Sequence, residues 1–195
     1  MKRLKELSLY KIRDLALESG RAVYSIQQLS NLIRKSKAVS TVYSSRLVQK
    51  GLAERVLKGR ISFEKDEFII ATQLIEPSYI SLNSALLFHG LIQQVPKNIE
   101  CVTTKNSLKF KKLGITYHKI QSSMLYGFKK HKKGKSYIMI AEPEKALIDG
   151  LYLNVYTRKD LQELKGKLSK PRLKEMIKKF KGKGRKKIME LIENA

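Results

Sequence analysis

The chain has 195 residues, enough for one large domain or two small ones. Its residues are 42% hydrophobic, which allows a packed core, and 41 basic against 17 acidic residues leave a formal net charge of +24. This composition excludes a disordered tail and favours an anionic partner, nucleic acid first and an acidic membrane surface second. The single cysteine, Cys101, excludes an intrachain disulfide framework and a cysteine-based zinc site.

The absence of a disulfide framework fits a reducing compartment, and together with the hydropathy pattern it predicts a protein of the cytoplasm. The first twenty residues contain no long apolar stretch, so we expect no secretory signal. No window approaches the 18 uncharged apolar residues that a transmembrane helix needs, so we expect no membrane partner.

Basic residues concentrate in three segments of the chain. Residues 1–70 carry a net charge of +8, residues 105–135 carry +10 and residues 155–195 carry +9. The two stretches between them, 71–104 and 136–154, are nearly neutral and the most apolar. We therefore expect a core built from the neutral stretches, surrounded by lysine-rich loops and helices.

The first 72 residues show the order of elements typical of a winged helix-turn-helix domain. Ser25 and Gln28 have the spacing of a helix capping box, and Gly51 is a helix stop signal. The predicted elements are a helix from about Leu4 to Leu17, a helix capped by Ser25, a turn at 34–37, a helix from about Lys37 to Lys50, and a hairpin of Leu52–Leu57 and Arg60–Phe63.

The third of these helices is a candidate recognition helix. Helical periodicity places Val39, Tyr43 and Leu47 on one side as core anchors, with short polar side chains opposite. Small hydroxyl side chains let a helix enter the major groove and contact base edges, while flanking cations contact phosphates. The predicted groove-facing residues are Lys37, Ser40, Thr41, Ser44, Ser45 and Arg46; the predicted phosphate contacts are Arg34, Lys35, Lys50, Lys58 and Arg60. The alternative is an ordinary solvated helix with a serine-rich face.

The second part of the chain predicts an α+β unit. Ser81 is placed to cap a helix running to His89, and Pro143 suits the first turn of another. Short β-prone runs occur at Ile99–Thr103, Ile115–Ile120 and Tyr137–Ala141, and the tail, 154–195, shows three amphipathic helical patterns. The predicted fold class is therefore α+β: a winged helix-turn-helix domain at 1–72, then a mixed α/β domain at 76–195 with a basic helical C-terminus.

A resemblance to a known family covers residues 76–153. The motifs that carry it are YISLNSALLFHGL at 79–91, Val95-Pro96, Thr103 and PEKALIDGLY at 143–152. In this order and spacing they resemble the AbiEi-type antitoxin family, the transcriptional-regulator half of an abortive-infection toxin–antitoxin pair. The resemblance implies an N-terminal winged helix that binds double-stranded DNA at inverted repeats in its own promoter, and a second domain that counteracts a nucleotidyltransferase-type toxin.

Motifs of catalysis are missing from the sequence. No phosphate-binding loop, nucleophile elbow or HExxH pair occurs, and the histidines lack metal-ligand spacing. We interpret His89 as a helix-end or core histidine, and Glu142, Glu144 and Asp149 as helix-dipole partners and surface charge rather than metal ligands or acid–base groups. We expect no enzyme activity, catalytic residue, metal or cofactor. The alternatives to a DNA-binding regulator are a nuclease-like enzyme and an RNA- or ribosome-associated protein.

The lysine-rich segments allow two interpretations each. Residues 105–135 form either a phosphate-binding surface with base-stacking aromatics or a solvated surface whose aromatics anchor the core. The aromatics concerned are Phe110, Tyr117, Tyr126 and Phe128. The lysines of the tail either contact the DNA backbone or are simply solvated.

Overall fold

The computed structural model describes residues 7–182 and 184–193, and within them the chain has nine α-helices and two sheets. The predicted α+β class is thus confirmed. The chain divides into two compact units. The first consists of the chain up to Leu74 together with the later segment Lys132–Ile138, and the second consists of Ile75–His131 and the chain from Met139 onward. Segment 132–138, which lies within the predicted domain at 76–195, therefore groups with the first unit. No helix among the described residues is long and apolar enough to cross a membrane.

The first unit alternates helices with short strands. In chain order its elements are α1 (Leu9–Glu18), β1 (Val23–Ser25), α2 (Ile26–Ile33), α3 (Lys37–Gln49), β2 (Glu54–Leu57), β3 (Arg60–Ser62) and α4 (Glu67–Leu74). The three strands form an antiparallel sheet in the order β1-β3-β2. The predicted Leu4 end of the first helix lies outside the described residues.

Local signals in the sequence explain the boundaries of α2 and α3. The predicted capping box is confirmed: the Ser25 hydroxyl accepts from the Gln28 N–H, and the Gln28 side chain accepts from the Ser25 N–H. Ser36 caps α3, and Gly51 follows its last turn with φ +66°, where glycine has no steric penalty. Strand β1 was missed because three residues are too few to show an alternating pattern.

A buried glutamine holds the segment 132–138 to the first unit. The Gln73 Oε1 atom accepts the backbone N–H groups of Ala22 and Val23, and its Nε2 donates to the Ser136 hydroxyl at 2.9 Å. The Ser136 hydroxyl in turn donates to the Gly20 carbonyl. Such pairing between distant positions leaves no periodic signal, so the sequence did not predict it.

The elements after Leu74 are β4 (Ser78–Ile80), α5 (Leu82–Phe88), β5 (Ile99–Thr103), β6 (Leu108–Phe110), β7 (Ile115–Lys119), β8 (Phe128–Lys133), β9 (Ser136–Ala141), α6 (Pro143–Tyr152), α7 (Arg158–Lys165), α8 (Lys170–Lys179) and α9 (Arg185–Glu193). The strands form a six-stranded mixed sheet of order β6-β7-β5-β4-β9-β8. All of it belongs to the second unit except residues 132–133 of β8 and 136–138 of β9, which belong to the first. The three predicted tail helices are confirmed as α7, α8 and α9.

Two predictions in this unit are wrong in detail. Ser81 precedes α5 without capping it, because its hydroxyl donates instead to the Asp149 carboxylate at 2.7 Å. Glu144 and Asp149 are buried, at 7% and 0% exposure, so neither is a surface charge. His89 ends α5 as predicted, with Nε2 2.9 Å from the Ala141 carbonyl.

Candidate nucleic-acid interface

Helix α3 has one buried side and one exposed side. Tyr43 and Leu47 belong to the hydrophobic core of the first unit together with residues of α1 and α2. The opposite side carries small or polar side chains and reaches solvent. The exposed residues of the helix are Lys37, Ala38, Val39, Thr41, Val42, Arg46 and Gln49, and Ser45 is half-buried among them.

The predicted groove-facing set needs a correction at two positions. Ser40 and Ser44 are buried, with 0% and 3% exposure, on the same side as Tyr43 and Leu47, so they cannot contact a base. The Ser40 hydroxyl donates to the Ser36 carbonyl at 2.8 Å, and this bond removes most of the cost of burying it. Val39, predicted as a core anchor, is 41% exposed.

Leaving Val39 out of the core anchors turns the predicted core side of α3 toward Ser40 and Ser44. A helical wheel centred on Tyr43 and Leu47 alone points Ser45 outward and brings Ser40 and Ser44 toward the core. The same wheel turns Ala38, Val42 and Gln49 to solvent, and these are the exposed residues of α3 that the prediction missed.

The turn between α2 and α3 is fixed by backbone and side-chain hydrogen bonds. The Ser30 hydroxyl donates to the Lys35 carbonyl at 2.6 Å, and the Lys35 N–H donates to the Ser30 carbonyl. Arg34 ends α2 with φ +52°, a left-handed conformation that costs a non-glycine residue about 1 kcal/mol. Arg34 is exposed and Lys35 half-buried.

The hairpin after α3 carries its cations at and beside the turn. Lys58 is exposed and precedes Gly59, whose φ of +71° suits the tight connection. Arg60 is half-buried, and Arg55, which the prediction did not include, is exposed on β2.

Positive charge within residues 7–74 concentrates in this part of the chain. Residues 34–60 hold eight cations and one acid, whereas 7–33 have a net charge of +1 and 61–74 a net charge of −2. The one acidic residue of 34–60 is Glu54, and its Oε1 atom lies 3.1 Å from Lys65 Nζ. We call the eight cations the basic surface, since none of them is buried: Arg34, Lys35, Lys37, Arg46, Lys50, Arg55, Lys58 and Arg60.

The aromatics of segment 105–135 pack against other rings. Tyr117 is buried and meets Phe110 edge to face at 5.9 Å, while Phe128 stacks on the buried Tyr79 at 4.5 Å. Tyr126 donates to the Met176 carbonyl. These contacts favour core anchors over base-stacking groups.

The PEKALIDGLY motif contributes a buried ion pair to the second unit. Lys145 and Asp149 lie one turn apart on α6, are fully buried and pair with each other. The other Asp149 oxygen accepts from Tyr79 at 2.9 Å and from Ser81. Burial lowers the pKa of Lys145 and raises that of Tyr79. Because the pair is sealed from solvent, it has the geometry of a structural element rather than of a substrate site.

The described residues contain no cluster of three or more histidine, cysteine or acidic side chains arranged for a metal ion. In comparisons of the whole sequence, no family model matches the chain and no curated protein is significantly similar to it.

Proposed function

We propose that the chain is a DNA-binding transcriptional regulator whose first unit is a winged helix-turn-helix domain. The order helix, strand, helix, helix, strand, strand, with the first strand pairing on the third, supports this assignment. The observation that carries the proposal is the concentration of unburied cations on α3, the turn before it and the hairpin after it.

In this proposal α3 enters the major groove with its exposed side. The Thr41 and Ser45 hydroxyls and the Gln49 amide offer hydrogen bonds to base edges, and the Val42 methyls offer an apolar contact to thymine. The basic surface contacts phosphates on both sides and contributes affinity that does not depend on sequence. The proposed groove-facing set therefore keeps Lys37, Thr41, Ser45 and Arg46. Val42 and Gln49 take the places of Ser40 and Ser44.

The test is selection of binding sites from a random duplex pool, followed by affinity measurements on the enriched sequence. We expect enrichment of an inverted repeat. Lys58→Ala should weaken binding to the enriched duplex and to random duplex alike. The slope of log K against log salt concentration should become smaller in magnitude by about one. Lys11→Ala, which removes an exposed lysine of α1 outside the basic surface, is the matched control and should bind like wild type.

Two outcomes would overturn the proposal. One is a pool that shows no enriched sequence, and the other is structured RNA that competes better than the enriched duplex. Cleavage of plasmid or RNA in the presence of Mg²⁺ would instead indicate a nuclease.

We further propose an antitoxin role, supported by the resemblance of residues 76–153 to AbiEi-type antitoxins. Co-expression with a nucleotidyltransferase encoded beside the gene should relieve that enzyme's toxicity. Lack of rescue by a stably expressed chain would contradict this role and leave the DNA-binding proposal intact.

A further inference from the structure

The helices α7, α8 and α9 of the second unit enclose an open groove that the proposed DNA-binding role does not use. Its volume is about 370 Å³, and residues of all three helices and of the turn between α7 and α8 line it. Its apolar lining consists of Leu168, Leu173, Ile177, Met189 and Ile192. Because Leu168 and Met189 are only half-buried, apolar surface remains accessible within the groove.

Lysines follow one edge of this groove. Lys170, Lys174 and Lys178 are spaced four residues apart on α8, so they lie on one side of the helix over about 12 Å of its length. We call these three exposed residues the lysine row. Lys165 lines the groove as well, and Glu193 is the one acid among the described residues of the lining. Four lysines and one glutamate give the lining a net charge of +3.

The two sides of α8 differ in how their charges are paired. On the side away from the groove, Arg172 donates to Glu142 and Glu175, and Lys179 donates to Glu175 at 2.8 Å. On the groove side, no ion pair joins the lysine row to any acid that the structure describes. Like charges one turn apart destabilise a helix, so an anionic partner would relieve a repulsion that is present in the chain alone.

The spacing of the lysine row favours a helix as the ligand. Acidic residues at every fourth position of a helix are about 6 Å apart along its axis, which is also the spacing of the lysines on α8. A fatty acid carries a single carboxylate and would leave most of the row without a partner. A DNA backbone repeats its charge but has no apolar side chains to cover the groove.

We propose that this groove binds an acidic amphipathic helix of a partner protein. The apolar side of that helix packs on Leu168 and Met189, and its carboxylates pair with the lysine row. Recognition of a helix in a groove uses apolar anchors at three- and four-residue spacing, and here charge complementarity adds to them. The site lies within the second unit, so it does not depend on DNA binding by the first.

Fluorescence anisotropy on the full chain tests this proposal with a designed peptide of about 18 residues, long enough to form a helix. The peptide has leucines on one side and glutamates at every fourth position beside them. A second peptide has the same composition in scrambled order, and the same hydrocarbon staple holds both peptides helical. The scrambled peptide measures attraction by the net charge of +24 alone. We expect the designed peptide to bind about tenfold more tightly than the scrambled one. Equal affinities, or no binding of either peptide, would overturn the proposal.

A charge swap assigns the binding to the groove. Lys174→Glu should weaken the designed peptide about tenfold. A peptide with lysine in place of its central glutamate should bind this variant more tightly than it binds wild type. Lys159→Glu is the control, because it makes the same charge change at an exposed position of α7 outside the groove lining, and it should bind the designed peptide like wild type. Unchanged binding by Lys174→Glu, or equal weakening by Lys159→Glu, would refute the site.

Vesicles of phosphatidylglycerol test a membrane surface as the occupant. Such vesicles attract the net positive charge whether or not the groove is intact. Met189→Gln, which makes the groove wall polar, should therefore weaken the designed peptide and leave vesicle binding unchanged. Loss of vesicle binding in Met189→Gln, together with equal affinity for the two peptides, would assign the groove to a membrane surface and overturn the proposal.

Discussion

Gly150 lies inside α6 against the ring of Tyr156, and a Cβ atom at this position would overlap that ring. The backbone N–H groups of Val155 and Tyr156 both donate to the Gly150 carbonyl, so the ring has little freedom to move away. We expect Gly150→Ala to lower the free energy of unfolding by about 1–3 kcal/mol, measured by urea denaturation. Gly166→Ala is the control, because no atom lies within 4 Å of its added methyl group. Equal stabilities for the two variants would contradict the packing described.

In the buried ion pair of Lys145 and Asp149, we expect removal of one charge to lower the free energy of unfolding more than removal of both. Lys145→Met leaves a buried carboxylate without its cation and should cost about 3–5 kcal/mol. Lys145→Met combined with Asp149→Asn should cost less, because no charge remains and the introduced amide oxygen still accepts from Tyr79 and Ser81. A double-mutant cycle by urea denaturation measures the difference. Simple additivity of the two costs would show that the charges are not coupled.

At the scale of elements, the sequence predicted helices better than strands. Ser25 marks the start of α2, Gly51 the end of α3 and Pro143 the start of α6, and these signals are local. Strands β1 and β4 have three residues each and pair with strands distant in the chain, so no local pattern reveals them. The same limit applies to the candidate site. The basic and hydroxyl side chains of α3 are evident from the sequence, whereas the side of the helix that faces the core depends on packing against α1 and α2.

The rotation of α3 can be tested with two adjacent serines. Ser44 is buried and Ser45 is half-buried on the exposed side, so only Ser45 can reach a base in the proposed complex. We expect Ser45→Ala to lower discrimination between the enriched sequence and random duplex, by about 1 kcal/mol if its hydroxyl makes one base contact. Ser44→Ala should leave discrimination unchanged. The reverse result in competition binding assays would restore the face that was first predicted from the sequence.

Contact between α6 and α8 depends on ionisation. Arg172 on α8 donates two hydrogen bonds of 2.9 Å to Glu142 at the start of α6, and these bonds lower the pKa of Glu142. Because the folded state favours the ionised carboxylate, Glu142 stabilises the fold at pH values above its ordinary pKa of 4.5. This stabilisation is lost as the pH falls through the lower pKa of the folded state. Glu142→Gln should therefore be less stable than wild type at pH 7, with the gap closing in acid. Arg172→Gln should reduce the effect of Glu142→Gln without abolishing it, because Lys129 Nζ still lies 3.6 Å from Glu142 Oε1. A gap independent of pH would contradict the pairing.

For the whole molecule, a net charge of +24 attracts any polyanion, so DNA affinity alone says little about where DNA binds. The salt dependence is more informative, because each neutralised phosphate contributes about 0.9 to the slope of log K against log salt concentration. Eight cations form the basic surface, so contact through that surface alone limits the slope to a magnitude of about 7.

Neutralising lysines elsewhere distinguishes local contact from net charge. Lys170, Lys174 and Lys178 are exposed along α8, and replacing all three with Gln removes three charges from the second unit. If DNA contacts only the basic surface, the triple variant should keep the slope of wild type, whereas Lys58→Ala reduces it by about one. A slope smaller by about three in the triple variant, measured by fluorescence anisotropy between about 50 and 200 mM salt, would mean that the tail lies on the DNA backbone.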